Sequence, residues 1–223
     1  ERSALPSVVT CRTADEGGGF EGTGDELVAR LAAAIAGSRK PLAIDVELAR
    51  VKADAALAAA LPALSEGCAR GLIFSTHDFT ARPADLTRQL ADMADHPLCS
   101  IMKAAWRARS LRDNLEAFEL TADYAAITPV VALCRGVFGL PSRVLAKMFG
   151  GWMTFAALDA GVESAPGQPT LDELKRLYRW DTLTPDTAVL GVVGYPIGHS
   201  MSPPIHNAGL DALAEQGDAV DAV

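Results

Sequence analysis

Short apolar and β-branched runs alternate along most of the chain with longer stretches where Ala and Leu recur among charges at helical spacing. The runs predict six strands: SVVTCR (7–12), PLAIDVEL (41–48), GLIFSTH (71–77), PLCSIMK (97–103), PVVALC (129–134) and GWMTFAAL (151–158). Between them GDELVARLAAAIAG, ADAALAAALPALSEG, PADLTRQLADMAD and SLRDNLEAFELTAD read as helices. Asp25 and Gly37 suit the two ends of the first helix, and Pro83 suits the opening turn of the third, where its missing N–H costs little. The strand runs are almost continuously apolar rather than alternating, which is the signature of parallel strands buried under helices. Repeating strand–helix units of this length predict an α/β fold, either a barrel or an open sheet.

The polar residues that interrupt the strand runs favour the barrel. Arg12 ends the first run, Asp45 and Glu47 lie near the end of the second, His77 ends the third and Lys103 the fourth. A (β/α)8 barrel collects its chemistry at the C-terminal ends of many strands. No glycine-rich loop follows the first strand, so a dinucleotide fold is disfavoured. The barrel reading carries a complication, since six strands cannot close an eight-stranded barrel. Beyond it, ESAPGQPTLDELKRLYRW reads as a loop and a helix, and DTLTPDTAV (181–189) as a linker. GVVGYPIGHSMSPPIHNAG (191–209) then reads as a strand, a ligand-handling loop and the start of a helix.

Composition narrows the function classes. The 223 residues are 49% hydrophobic and carry a net charge of −8, with Arg and Lys scattered rather than clustered in sequence. That argues against nucleic acid as a partner. No apolar run reaches membrane-spanning length, and no signal peptide is evident. Cys11, Cys68, Cys99 and Cys134 are widely spaced, with no CxxC and no clustered histidines. Reduced thiols in a cytoplasmic protein are therefore expected, and no metal site. The chain starts ERSALP without an initiator Met, so it is expected to be a slice of a longer polypeptide.

Two residues carry the candidate chemistry. Lys103 has one reading in which the strand ends there and the amine reaches water. In the other, a partly desolvated amine of lowered pKa attacks a carbonyl carbon to form a Schiff base. His77 is either a satisfied histidine at a loop start or a proton shuttle beside an imine, taking a proton from the adjacent carbon and returning it to a leaving hydroxyl.

CRTADEGG (11–18), AIDVEL (43–48), STHDF (75–79), Lys103, GLPSR (139–143) and SAPGQ (164–168) follow one another as in type I dehydroquinate dehydratase, and the stretch from Ser7 to Trp180 resembles that family. The resemblance implies a Schiff-base (β/α)8 TIM barrel, here without its first two strands, that eliminates water from 3-dehydroquinate in the shikimate pathway. It implies that Lys103 forms the imine, that His77 is general base and then general acid in a syn elimination, and that Glu16 orients the histidine. Arg12, Arg143, Ser164 and Gln168 match substrate-binding positions, the last two on a Pro-Gly loop that could close over the mouth. Asp45 matches a family acid, with a supporting role as open as a catalytic one. Two positions depart from the family: Ser100 stands where relatives carry an acid, and Arg135-Gly136 where they tend to have Met-Gly.

GYPIGHSMSPPIHNAG resembles the substrate-binding signature of shikimate dehydrogenase, which implies that Ser200 and Ser202 hold the shikimate carboxylate. A proline-rich turn capping a helix is the plainer reading of the same residues. The expected organisation is a partial dehydratase barrel (1–180), a linker (181–189) and the start of a shikimate dehydrogenase substrate domain (190–223). No cofactor is expected for the dehydratase, and NADP only for the absent remainder of the dehydrogenase. The expected partner is the small-molecule substrate, with neither nucleic acid nor membrane, and a homodimer is left open. Two other functions compete, a Schiff-base aldolase on the same barrel and a non-catalytic scaffold.

Overall fold

In the computed structural model, which describes residues 5–37, 40–163, 165, 167–217 and 221–222, five strands form one sheet in chain order with every neighbouring pair parallel. They are β1 (Val8–Thr10), β2 (Ala43–Glu47), β3 (Leu72–Asp78), β4 (Cys99–Arg107) and β5 (Val130–Arg135). Helices α1 (Gly24–Ala36), α2 (Leu48–Ala53), α3 (Ala55–Glu66), α4 (Leu86–Ala94) and α5 (Asp113–Ala125) connect them. After β5 come α6 (Leu140–Val144) and, near the C-terminus, α7 (Ser202–Glu215).

The period of two along each strand divides the sheet into two chemically different faces. Ile44, Val46, Leu72, Phe74, Met102, Ala104, Trp106, Val130, Ala132 and Cys134 join one large buried cluster with the helices. The helices meet them with apolar residues at helical spacing: Leu27 and Leu31 of α1, Leu57, Leu61 and Leu64 of α3, and Leu86, Leu90 and Met93 of α4. Local chemistry starts the helices. Thr23 and Glu26 form a reciprocal capping box on α1, and the Asp54 carboxylate accepts from the Ala56 and Leu57 N–H groups at the start of α3.

The opposite face is floored by Ala43, Ile73 and Ile101, with Val131 and Leu133 beside them. Trp152 and Met153 pack against both groups, and Phe155 and Trp180 against the second. Those aromatics correct one expectation: 151–158 is not a sixth strand. Trp152 N–H bonds Val130 C=O at 2.8 Å, and Ala157 makes an isolated bridge with Thr170, but no ladder forms. The segment spends its large side chains covering the inner sheet face, which in sequence looks the same as a buried strand.

Three further expectations change. The fourth strand does not stop at Lys103 but pairs with both neighbours well beyond it, placing the lysine in mid-strand. Pro83 precedes α4 rather than opening it, its C=O accepting from Leu86 N–H. The stretch from Gly191 to Tyr195 is not a strand, and Val193 and Tyr195 are fully exposed. No neighbouring strand lies beside it among the described residues, so its backbone has no ladder to join. Leu183 and Thr187 of the 181–189 stretch are buried, and the Thr184 and Thr187 hydroxyls both bond Asp221. Helix α7 is tied to the preceding segment by the Arg179–Asp211 ion pair and by Asn207 donating to Leu177 C=O. Among the described residues no helix is long and apolar enough to cross a membrane, and no group of His, Cys, Asp and Glu could hold a metal ion.

Candidate active site

On the inner face, register stacks the polar residues above the apolar floor. Glu47, Ser75, Lys103 and Val131 pair across four strands in one row, and His77, Ala105 and Leu133 form the next row toward the C-terminal ends. Lys103 and His77 therefore share a face, on adjacent strands and one row apart. Beyond β1 the chain turns inward to bring Arg12 and Glu16 over the same rows.

Arg12 is the hub of this chamber. Its Nη1 donates to Glu47 Oε1 and Ser75 Oγ, both at 3.0 Å, and its Nη2 donates to Asp45 Oδ1 at 2.9 Å. Asp45 also accepts from Ser75 Oγ at 2.6 Å and, through Oδ2, from Lys103 Nζ at 2.8 Å. Glu47 accepts in addition from the Thr13 N–H and hydroxyl, which fixes the turn carrying Glu16. Above it, Glu16 Oε2 lies 2.7 Å from His77 Nδ1. The third position of the DEGG turn matters sterically: Gly17 has φ +78°, and a Cβ there would sit 2.0 Å from the Phe79 ring. Asp78 makes the turn after β3, accepting from the N–H groups of Thr80 and Ala81.

Burial decides the protonation states. Removal from water pushes the Lys103 ammonium below its ordinary value, although the Asp45 carboxylate works against that shift. Burial alone would raise Asp45, but the Lys103 and Arg12 charges outweigh it and hold the carboxyl down to about 2. Glu16 is pushed up to about 8, mainly by burial and then by Glu47. His77 is pushed down to about 2 by burial and by the Lys103 and Arg12 charges. Near neutral pH, then, the imidazole beside Lys103 is neutral. Chemically, the chamber offers an amine primed to lose its proton and an imidazole able to accept one.

The remaining sequence-derived positions are placed as follows. Arg143 lies on α6, only 3% exposed, and its Nε has no hydrogen-bond partner among the described residues. Burial, and then the nearby Arg135, lower its pKa to about 10. The helix beneath is fixed by Ser142, whose N–H donates to Asn114 Oδ1 and whose Oγ accepts from Cys134 N–H. Gln168 is buried, and Gly167 beside it (φ +76°) packs so closely on Gly136 that a Cβ would lie 2.4 Å from its carbonyl oxygen. The Pro-Gly loop thus touches the turn after β5. Ser164 lies outside the described residues. Ser200 and Ser202 bond within their own turn, Ser202 N–H donating to Ser200 Oγ at 3.3 Å, and do not join the chamber network.

Ser75 and Phe155 belong to the chamber without having been singled out, and Glu47, noted in sequence as a polar strand-end residue, joins it without a role assigned to it there. Lys103 Nζ stands 4.9 Å from the Phe155 ring centre. Glu47 is two residues after Asp45 and Ser75 two before His77, so strand alternation alone places each on its partner's face.

The model of the type I 3-dehydroquinase family matches residues 1–185. The chain belongs to the type I 3-dehydroquinase family. Among curated proteins it is 34% identical over 221 residues to the chloroplastic bifunctional 3-dehydroquinate dehydratase/shikimate dehydrogenase of Arabidopsis thaliana, covering 97% of this chain and 35% of that protein. The 3-dehydroquinate dehydratase of Dehalococcoides mccartyi strain BAV1 is 33% identical over 177 residues, covering 78% of this chain and 75% of that one. Among solved structures, 3-dehydroquinate dehydratase from Geobacillus kaustophilus matches with a TM-score of 0.65 at 28% identity, over 76% of this chain and 65% of that one. The dehydroquinate dehydratase and shikimate dehydrogenase structure from S. pombe AroM has a TM-score of 0.62 at 24% identity, over 99% of this chain and 40% of that one. The chain thus spans about a third of the plant relative's length. Type I dehydroquinases are TIM barrels, and the five parallel strands with helices on one face are a stretch of such a wall.

Proposed function

We propose that the chamber dehydrates 3-dehydroquinate to 3-dehydroshikimate through an imine on Lys103. The observation that carries this reading is the placement of a buried, pKa-lowered amine one row from a neutral histidine, with the Glu16 carboxyl at the histidine's far nitrogen. The deprotonated Nζ adds to the substrate ketone, and the carbonyl oxygen departs as water to leave a protonated imine. The iminium acidifies the neighbouring C–H, whose proton passes to His77 while the electrons form an enamine. The enamine expels the β-hydroxyl, and the His77 proton goes to that oxygen as water leaves. A second water hydrolyses the imine and frees Lys103, so the net change is loss of one water.

The other residues serve this sequence. Asp45 and Arg12 hold the lysine in place, and Arg143 supplies a buried cation for the substrate carboxylate. Gln168 and Ser164 would close the mouth over the bound substrate. Residues 190–223 are proposed as the start of a shikimate-binding domain joined through 181–189, with Ser200 and Ser202 as carboxylate donors. A cytoplasmic setting fits the four free cysteines.

Borohydride reduction in the presence of 3-dehydroquinate, read by intact mass, tests the assignment. A stable adduct on wild type that disappears in Lys103→Ala is expected, and His77→Ala should still trap while losing turnover. An adduct of equal yield in Lys103→Ala would overturn the reading.

A further inference from the structure

Beyond the chamber, the C-terminal ends of β3, β4 and β5 open into a cleft of about 560 Å³ lined by Phe79, Arg107, Arg109, Arg135, Val137 and Phe138. That volume is in the range of small-ligand sites. Its charge is unusual for a chain of net charge −8. Arg107 and Arg135 are direct register partners on neighbouring strands, so two like charges stand side by side on one face. Such a pairing is unfavourable unless something between the two charges offsets it.

No carboxylate among the described residues does so. Among the described residues neither Arg107 nor Arg135 has a carboxylate within ion-pair distance. The guanidinium of Arg135 lies 3.6 Å from the centre of the Phe79 ring, which is itself wedged against Gly17. Arg109 has one long contact, Nε to Asp113 Oδ2 at 3.9 Å, and that oxygen already accepts the Arg109 N–H at 2.6 Å. Three guanidinium groups therefore surround one cleft with their donors largely uncommitted. Beside them Val137 is 78% exposed and Phe138 is 44% exposed, an apolar wall next to the cationic one.

We propose that this cleft is a second binding site, for a small organic anion whose carboxylate or phosphate lies among the three arginines and whose apolar body rests on Val137 and Phe138. The planar guanidinium fork suits either head group, and the rings beside it contribute contact area without rotamer cost. The site adjoins the chamber through Arg135 and stands independently of the reaction assigned there. It also gives Arg135-Gly136 a physical role, since a methionine could supply neither charge nor the stack on Phe79.

Calorimetric titration of the 223-residue chain with phenyl phosphate, benzoate and inorganic phosphate tests the site. The same titrations in an Arg143→Gln background remove the cation assigned above to the substrate carboxylate. Phenyl phosphate or benzoate is expected to bind in both, the tighter of the two identifying the head group, with inorganic phosphate weaker by about tenfold for want of the apolar contact. Arg107→Gln with Arg109→Gln should weaken binding by at least about tenfold, with the circular dichroism spectrum unchanged because both side chains are exposed. Loss of all binding on Arg143→Gln alone, unchanged affinity in the Arg107/Arg109 variant, or no binding of either organic anion would each overturn the proposal.

Discussion

Asp45→Asn isolates what the carboxylate contributes to the buried network. The side chain is 1% exposed and accepts from Arg12, Ser75 and Lys103. Replacing the anion leaves the buried Lys103 ammonium without its carboxylate partner and Arg12 with Glu47 as its remaining close one, a change that costs about 3 kcal/mol in comparable sites. The pH dependence carries a second signature. The carboxyl titrates at about 2 in the folded chain against an ordinary 3.8, so its contribution is complete above 3.8 and is lost as pH falls through about 2. The full shift corresponds to about 2 kcal/mol, of which about 1 kcal/mol disappears between pH 5 and pH 3. Urea unfolding of wild type and Asp45→Asn at those two pH values measures it, because groups common to both chains cancel in the difference. The gap should be about 3 kcal/mol at pH 5 and about 2 kcal/mol at pH 3. A gap that stays constant, or an Asn variant as stable as wild type at pH 5, would refute the buried ion pair as described.

Three other outcomes are expected. Glu16 is raised to about 8 from an ordinary 4.5, so its contribution is complete below 4.5 and lost as pH rises through about 8. Glu16→Gln should therefore flatten the decline of the melting temperature across that window, measured by thermal denaturation. Leu61→Ala, at a 2% exposed position facing the sheet, should cost about 2–5 kcal/mol in urea unfolding with the slope unchanged. Gly17→Ala must displace the Phe79 ring and adopt φ +78°, costing about 1–3 kcal/mol. Combining it with Phe79→Ala should cost less than the sum of the two single changes, which a double-mutant cycle reads directly.

The parallel wall and most of its polar chamber were legible because both rest on short-range rules. Continuous apolar runs mark the central strands, and Arg12, Asp45, His77 and Lys103 interrupt those runs or end them. Lys103 was misplaced along its strand because a lysine inside an apolar run looks like a boundary. Only the carboxylate of Asp45, 58 residues away in sequence but 2.8 Å away in space, makes its burial tolerable. The 151–158 segment misled for the opposite reason: its composition suits a strand, and only the open inner face shows where its aromatics go. Arg143 was legible as a candidate but not as a buried cation, since its want of a partner is a property of the assembled chamber.

Strand β4 carries Met102, Ala104 and Trp106 to the helices and Lys103, Ala105 and Arg107 to the other face. Those two sets interleave one residue at a time, and the one register shift against β3, which leaves Ser100 as an extra residue on β4, lies just before them. A single-residue insertion or deletion inside the regular ladder after Ile101 would exchange them, driving charged side chains into the core and turning a large indole toward water. Length variation among homologues should consequently be confined to the connections, such as the turn between β3 and α4, and to the irregular start of β4, while the ladder from Ile101 to Arg107 tolerates substitution but not a change of count.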